Sequence, residues 1–343
     1  PTYLKPDEIR QLMAMLRRYF QFADEGEISI EVDPREIDLS LLDVLKEVGF
    51  NRLSLGVQDF DKSVQVAVNR VQDNDFIRAL LMRAKELGFR STNLDLIYGL
   101  PLQTRASFRH TLEQVVQTAP ARLSIFNYAH LPSRFAGQHK IKDETLPPPA
   151  EKLAILQETI EYLTGEGYQY IGMDHFALPD DELAVAQREG KLHRNFQGYT
   201  TQGECDLLGL GVSSISMLGD AYSQNQKDLK LYYAAVTAQG QAQWKGCALN
   251  HDDRIRRDVI KQLICNFQLS FAEISERYAL DFKGYFAQDL ALLRPFIEDG
   301  LVAMDEAGIR VSSTGRLLIR NICMCFDTYL RERARQQQFS RVI

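Results

Sequence analysis

The sequence lacks any run of eighteen apolar residues, so a conventional membrane-spanning helix is excluded. It opens without a charged-then-apolar leader, and secretion is not expected. Cysteine is scarce: Cys205, Cys247, Cys265, Cys323 and Cys325 form an odd set without disulfide-framework spacing, which fits a reducing, cytoplasmic setting. There is no Walker-type phosphate loop and no HExxH metal motif. Positive charge is not in excess either, because a net charge of −6 gives no electrostatic footprint on nucleic acid. What remains is the composition of an ordinary soluble globular protein, 45% hydrophobic and 25% charged over 343 residues, long enough for more than one domain.

Present instead is an alternation of strand and helix patterns. Ile9, Leu12, Met13, Leu16 and Phe20 stand at helical spacing, with Asp7 as N-cap, and the strand EISIEVDP follows. The helices carrying Leu42 and Leu45, then Phe76 and Leu80, then Phe108 and Leu112 behind a Thr104 cap, then Leu156 and Ile160, alternate with NRLSLGVQ, STNLDLIYGLP, ARLSIFNYAH and YQYIGMDHFA. Three joints share one grammar, a helix-ending glycine before a strand-opening aromatic: Gly49-Phe50, Gly88-Phe89 and Gly167-Tyr168. Units of this kind predict a parallel sheet with helices outside. Glu31, Gln58, Asp95, Asn127 with His130, and Asp174 with His175 fall toward the C-terminal ends of successive strands, which favours an α/β fold of the barrel type, whose C-terminal face carries the chemistry. Residues 1–218 are expected to form this partial (β/α) barrel. Residues 219–343 read as a mostly helical, winged-helix-like domain, with helices at His251 to Cys265 and Phe282 to Ile297, a hairpin over LVAMD and IRVSS, and a final helix from Gly315.

The candidate chemistry sits on loops between rigid elements. The stretch from Tyr168 to Ser216 delivers Asp174, His175 and His193 as acid-base or substrate-anchoring groups. Arg70 has the chemistry to clamp a carboxylate. Gly209-Leu210-Gly211 has two glycines of a dinucleotide fingerprint but Ser214 at the third position, and leaves a close backbone approach to a ligand open. Cys323-Met324-Cys325 lies in an apolar helical run and reads as core, and the cysteines as a set offer no iron-sulfur site.

Taken together, IEVDP, NRLSLGVQDF, NRVQ, LDLIYGLP, FNYAHLP, GMDHFALPDDELAVAQREGKLHRNFQGYTT, GLGVSSIS and RNICMCFDTYLR resemble the oxygen-independent coproporphyrinogen III oxidases, radical S-adenosylmethionine (SAM) enzymes of haem biosynthesis, over essentially the whole chain. The resemblance implies a 4Fe-4S cluster, two bound SAM molecules, an electron donor, and conversion of two propionates of coproporphyrinogen III to vinyl groups by a soluble monomer. It implies that Glu31 and Ile215 contact the cluster-bound SAM, and that Gln58, Arg70, Asp95 and Ala129 contact the second. The family's CxxxCxxC is absent, and Pro1-Thr2-Tyr3-Leu4 is similar to the residues just after the family's glycine-rich segment. The expectation is an N-terminally truncated copy without its first two strand-helix units, inactive alone, with an open edge at the first strand. The related haem chaperones are the alternative within the superfamily, disfavoured by HRNFQGYTT. A non-catalytic porphyrin-binding module is the alternative outside it.

Overall fold

Period-two alternation and helical spacing settle most of the chain into the elements they predict. A computed structural model describes residues 2–333, and these divide into two units, one reaching Ala184 and the other starting at Val185. The first contains α1 (Pro6–Tyr19), β1 (Ser29–Val32), α2 (Ser40–Glu47), β2 (Arg52–Gln58), α3 (Lys62–Ala67), α4 (Asn74–Glu86), β3 (Ser91–Tyr98), α5 (Arg105–Thr118), β4 (Arg122–Asn127), α6 (Pro149–Gly165), β5 (Gln169–Gly172) and β6 (His175–Ala177). The strands form one six-stranded sheet in the order β1-β2-β3-β4-β6-β5. Gly49, Gly88 and Gly167 end their helices at φ of +103°, +69° and +91°, as the three joints require. Thr104 caps α5 through the N–H of Ser107.

Two expectations fail here. Asp7 does not cap α1; Lys5 holds that position, and its N–H donates to Glu8 at 2.7 Å. The sheet is not wholly parallel, because YQYIGMDHFA is a hairpin rather than one strand. Gly172 and Met173, at φ of +134° and +54°, reverse the chain, and the Tyr170 hydroxyl donates to the Met173 carbonyl at 2.9 Å. β6 therefore inserts antiparallel between β4 and β5.

One face of the sheet is apolar. Ile30, Val32, Leu53, Leu55, Val57, Leu94, Leu96 and Leu123 are buried there with Ile9 and Met13 of α1, Leu42 and Leu45 of α2, Ile77 and Leu80 of α4, and Phe108 and Leu112 of α5. The other face carries the polar half of each alternation.

After α7 (Glu182–Arg188), which spans the division, the second unit holds β7 (His193–Asn195) paired with β8 (Gly198–Thr200), and β9 (Ile215–Leu218), β10 (Ala221–Asn225) and β11 (Gln243–Ala248) as an antiparallel sheet around α8 (Leu229–Gln239). The domain limit expected after residue 218 falls on the turn between β9 and β10. Next come α9 (His251–Asn266), β12 (Gln268–Ser270), α10 (Phe271–Tyr278), α11 (Phe282–Tyr285), α12 (Ala287–Leu292), α13 (Arg294–Glu298), β13 (Val302–Met304), β14 (Gly308–Val311), α14 (Ile319–Met324) and α15 (Thr328–Arg333). The hairpin of β13 and β14 is the expected wing, with β12 added on its other side. The single helix expected over Phe282 to Ile297 is three short ones. Phe286 turns into an aromatic core with Phe282 at 4.6 Å and Phe326 at 5.6 Å, and Pro295 cannot continue the hydrogen-bond ladder. Cys323 and Cys325 are core residues, and burial pushes the Cys325 thiol up to about 11. No helix among the described residues is long and apolar enough to cross a membrane.

Candidate functional site

Because side chains alternate across a strand, strand register places polar residues side by side. Glu31 is opposite Ser54, Ser54 opposite Asn93, Asp95 opposite Ser124, and Ser124 opposite His175. These residues form a polar row along the face away from the apolar core. Ser54 Oγ donates to Asp95 Oδ2 at 2.9 Å, and Asn93 Nδ2 donates to Asp95 Oδ1 at 2.8 Å and to Ser54 Oγ at 2.9 Å. Ser124 Oγ donates to Asn93 Oδ1 at 3.2 Å. Burial raises the pKa of Asp95, opposed by the hydrogen bonds from Ser54, Asn93 and Ser124. At the strand starts the same face carries Arg52 and Arg122, both neutralised: Arg52 pairs with Glu27 at 3.0 Å and Glu182 at 2.7 Å, and Arg122 with Asp181 at 2.9 Å.

The C-terminal end of β2 is shaped differently. Gln58 lies at φ +68°, a costly conformation for a side chain of its size, and the register with β3 shifts between Gly56 and Gln58. A polar knot holds the distortion. Asp59 is buried and accepts from Thr111 Oγ1 at 2.6 Å and Gln103 Nε2 at 2.5 Å, while Gln65 Nε2 donates to the Asp59 carbonyl at 3.0 Å. A Cβ at Gly56 would stand 3.0 Å from Gln58 Nε2 and 3.1 Å from Arg70 Nη2, so glycine lets both side chains lie over the strand. Arg70 donates to the Gly56 carbonyl at 2.7 Å and pairs with Asp33 at 3.3 Å. Asp33 is already held bidentately by Arg35, at 3.0 and 2.7 Å, which keeps its carboxyl below the usual range. Arg70 thus shares its counter-ion, burial lowers its pKa, and its Nε is buried without a hydrogen-bond partner.

Ala129 is exposed just past β4, where Gln138 Nε2 donates to its carbonyl at 3.0 Å. His130 is flanked by Tyr128 at 3.2 Å and Asp143 at 3.0 Å. Asp174 lies in the β5–β6 turn, where its carbonyl accepts from Ile125 at 2.6 Å. His175 meets Phe126 edge-on at 6.1 Å on the polar face. The sheet therefore brings Glu31, Gln58, Arg70, Asp95 and His175 to one face of the first unit. Sequence reasoning missed Ser54, Asn93 and Ser124, although the alternation in RLSLGVQ, STNLDLIY and RLSIF marks all three as facing the same way as Asp95.

His193 and Ile215 belong to the second unit. His193 lines a cavity of about 1150 Å³ with Arg257, Asp258, Lys261 and Asn266, and burial lowers its pKa, as does Lys261. Ile215 is half-buried on β9, and Gly209 packs on its backbone: a Cβ there would stand 2.6 Å from the Ile215 carbonyl oxygen. The close backbone approach that the glycine pair left open is made, at Gly209, to the chain itself.

Arg70, which shares its counter-ion, and half-buried Asp95 put charges of both signs on one face, which fits a zwitterionic amino-acid group such as the methionyl end of SAM. An iron-sulfur cluster does not fit in the same way. No group of three or more His, Cys, Asp or Glu among the described residues is placed to hold a metal ion.

Residues 1–115 match the Radical SAM superfamily and residues 249–318 the HemN C-terminal domain. The chain is 66% identical over 343 residues to the oxygen-independent coproporphyrinogen III oxidase of Escherichia coli strain K12, covering 100% of this chain and 75% of that protein. It is 53% identical to the protein of the same name from Pseudomonas aeruginosa, again over 100% of this chain and 75% of the relative. The solved Escherichia coli HemN, described as a radical SAM enzyme, superposes with a TM-score of 0.95 at 66% identity, over 96% of this chain and 76% of that one. With such identity along its whole length and a shared fold, the chain belongs to the oxygen-independent coproporphyrinogen III oxidases of the radical SAM superfamily.

Proposed function

We propose that the chain serves the anaerobic oxidative decarboxylation of coproporphyrinogen III to protoporphyrinogen IX, in which two propionates become vinyl groups. Each propionate loses a hydrogen atom from the carbon next to the pyrrole, then carbon dioxide and one electron, which passes to a one-electron acceptor. SAM and a 4Fe-4S cluster fed by an electron donor would together supply the one-electron chemistry that removes that hydrogen atom. No described residue is assigned to the cluster.

The chain's own residues bind and orient. Arg70, which shares Asp33 with Arg35, takes the methionyl carboxylate of one SAM, and Asp95, hydrogen-bonded by Ser54 and Asn93, takes the ammonium. Gln58 supplies an amide beside them and Ala129 a small exposed backbone. Glu31 and Ile215 serve the other SAM, giving two per enzyme, and Asp174, His175 and His193 are the substrate-side groups.

The observation that carries this reading is that one polar sheet face presents a half-buried, hydrogen-bonded carboxylate, Asp95, and an arginine, Arg70, whose counter-ion Asp33 is shared with Arg35. Calorimetric titration of SAM into the chain tests it. Arg70→Met should weaken binding about tenfold or more, the worth of a charge-assisted hydrogen bond. An unchanged affinity would overturn it.

A further inference from the structure

Among the described residues, Lys152 is a cation without a counter-ion, in a place where local physics disfavours a cation. It follows Pro149 and Glu151 in the first turn of α6, where the helix dipole opposes positive charge. Its stem crosses Gly99, which at φ +84° leaves the necessary space; a Cβ there would lie 2.9 Å from Cε. Nζ makes one long contact, 3.4 Å to the Tyr128 carbonyl, although an ammonium has three donors. Burial alone acts on its pKa, downward, with no carboxylate opposing it.

The nearby carboxylates are committed elsewhere. Glu151 accepts from the Arg105 N–H at 2.7 Å, Glu158 pairs with Arg105 at 2.5 Å, and Asp143 takes His130. The surrounding loop is fixed: Gln138 bridges Ala129 and Leu131, and Leu102 donates to Thr145 at 2.8 Å. Gly99 follows β3 and Tyr128 follows β4, so the ammonium lies at the sheet edge that carries Gln58, the edge where barrel enzymes hold substrate. A local rule broken without internal compensation points to a ligand.

We infer that Lys152 binds a propionate carboxylate of the tetrapyrrole, an inference that rests on the decarboxylation reading above. The substrate brings four such groups, and an anion at Nζ would satisfy the two N–H donors that the chain leaves over.

Fluorescence titration of the 343-residue chain with coproporphyrin III, the oxidised tetra-acid, tests this. Lys152→Met should bind about tenfold more weakly and Lys152→Arg within a few-fold of the parent, as expected for one charge-assisted contact. The tetramethyl ester should bind parent and Lys152→Met alike, and SAM affinity should not move. Should Lys152→Met fail to fold, Lys152→Gln carries the same comparison. Equal tetra-acid affinity in the variant overturns the inference, as does an equal loss with the ester, which would mean packing, or a loss confined to SAM, which would mean the methionyl carboxylate. A parent chain that binds SAM but no porphyrin overturns the reading beneath it and this inference together.

Discussion

Replacing Asp95 by Asn separates the electrostatic from the structural work of the polar row. The side chain keeps its shape and an acceptor for Ser54 Oγ, but turns an N–H toward Asn93 Nδ2, itself a donor. Where Asp95 is protonated in the parent, the cost is about one neutral hydrogen bond, 0.5–1.5 kcal/mol. For a unit of this size that is a melting temperature lower by about 1–6 °C. The pH dependence has a definite sign. Burial raises the folded pKa of Asp95, so its contribution to stability is full below the unfolded value and is lost as pH rises through the folded one. The parent therefore loses stability that Asp95→Asn does not, and the gap between them narrows from acid toward neutral pH. SAM affinity at neutral pH should fall about 10- to 150-fold, the equivalent of a 1.5–3 kcal/mol contact to a charged group. Thermal melts across the acid-to-neutral range, with SAM calorimetry at the neutral end, measure both. A gap that does not change with pH, or an unchanged SAM affinity, would refute the reasoning.

Three further outcomes are expected. In the second unit Asp289 is buried with Arg256 and Arg331, each at 2.8 Å; Asp289→Ala leaves Arg256 its pair with Asp252 at 2.7 Å but takes this partner from both guanidinium groups, at a cost of about 1–3 kcal/mol, measurable by denaturant titration. Gly203→Ala places a Cβ 2.1 Å from the His193 ring and should cost about 1–3 kcal/mol by the same titration while shifting the His193 imidazole resonances. Anaerobic reconstitution with iron and sulfide should give the 343-residue chain no stable 4Fe-4S absorbance, because Cys265, Cys323 and Cys325 are buried, Cys205 and Cys247 are exposed, and none belongs to a metal-holding group among the described residues.

The legible part of this fold was the part governed by local rules. Helical spacing, the glycine-aromatic joints and the Thr104 cap each fix a conformation within a few residues, and each is present. The β5–β6 hairpin was not legible, because its reversal depends on Met173 accepting a left-handed conformation that a methionine seldom adopts, stabilised by the hydroxyl of Tyr170. Nor was the division of Phe282 to Ile297, where helical spacing holds but Phe286 is drawn toward Phe326, forty residues away in sequence. At the site, Arg70 and Asp95 were marked by motif resemblance. The residues that set their chemistry, Ser54, Asn93 and Asp33, were hidden because a serine or asparagine in a strand announces nothing until register shows which carboxylate it faces.

The most direct measurement is a crystal structure of the chain grown with SAM. The account predicts density on the polar sheet face with the methionyl carboxylate at Arg70 and the ammonium at Asp95. Density elsewhere with that face vacant, at SAM concentrations that saturate the calorimetric signal, would contradict it.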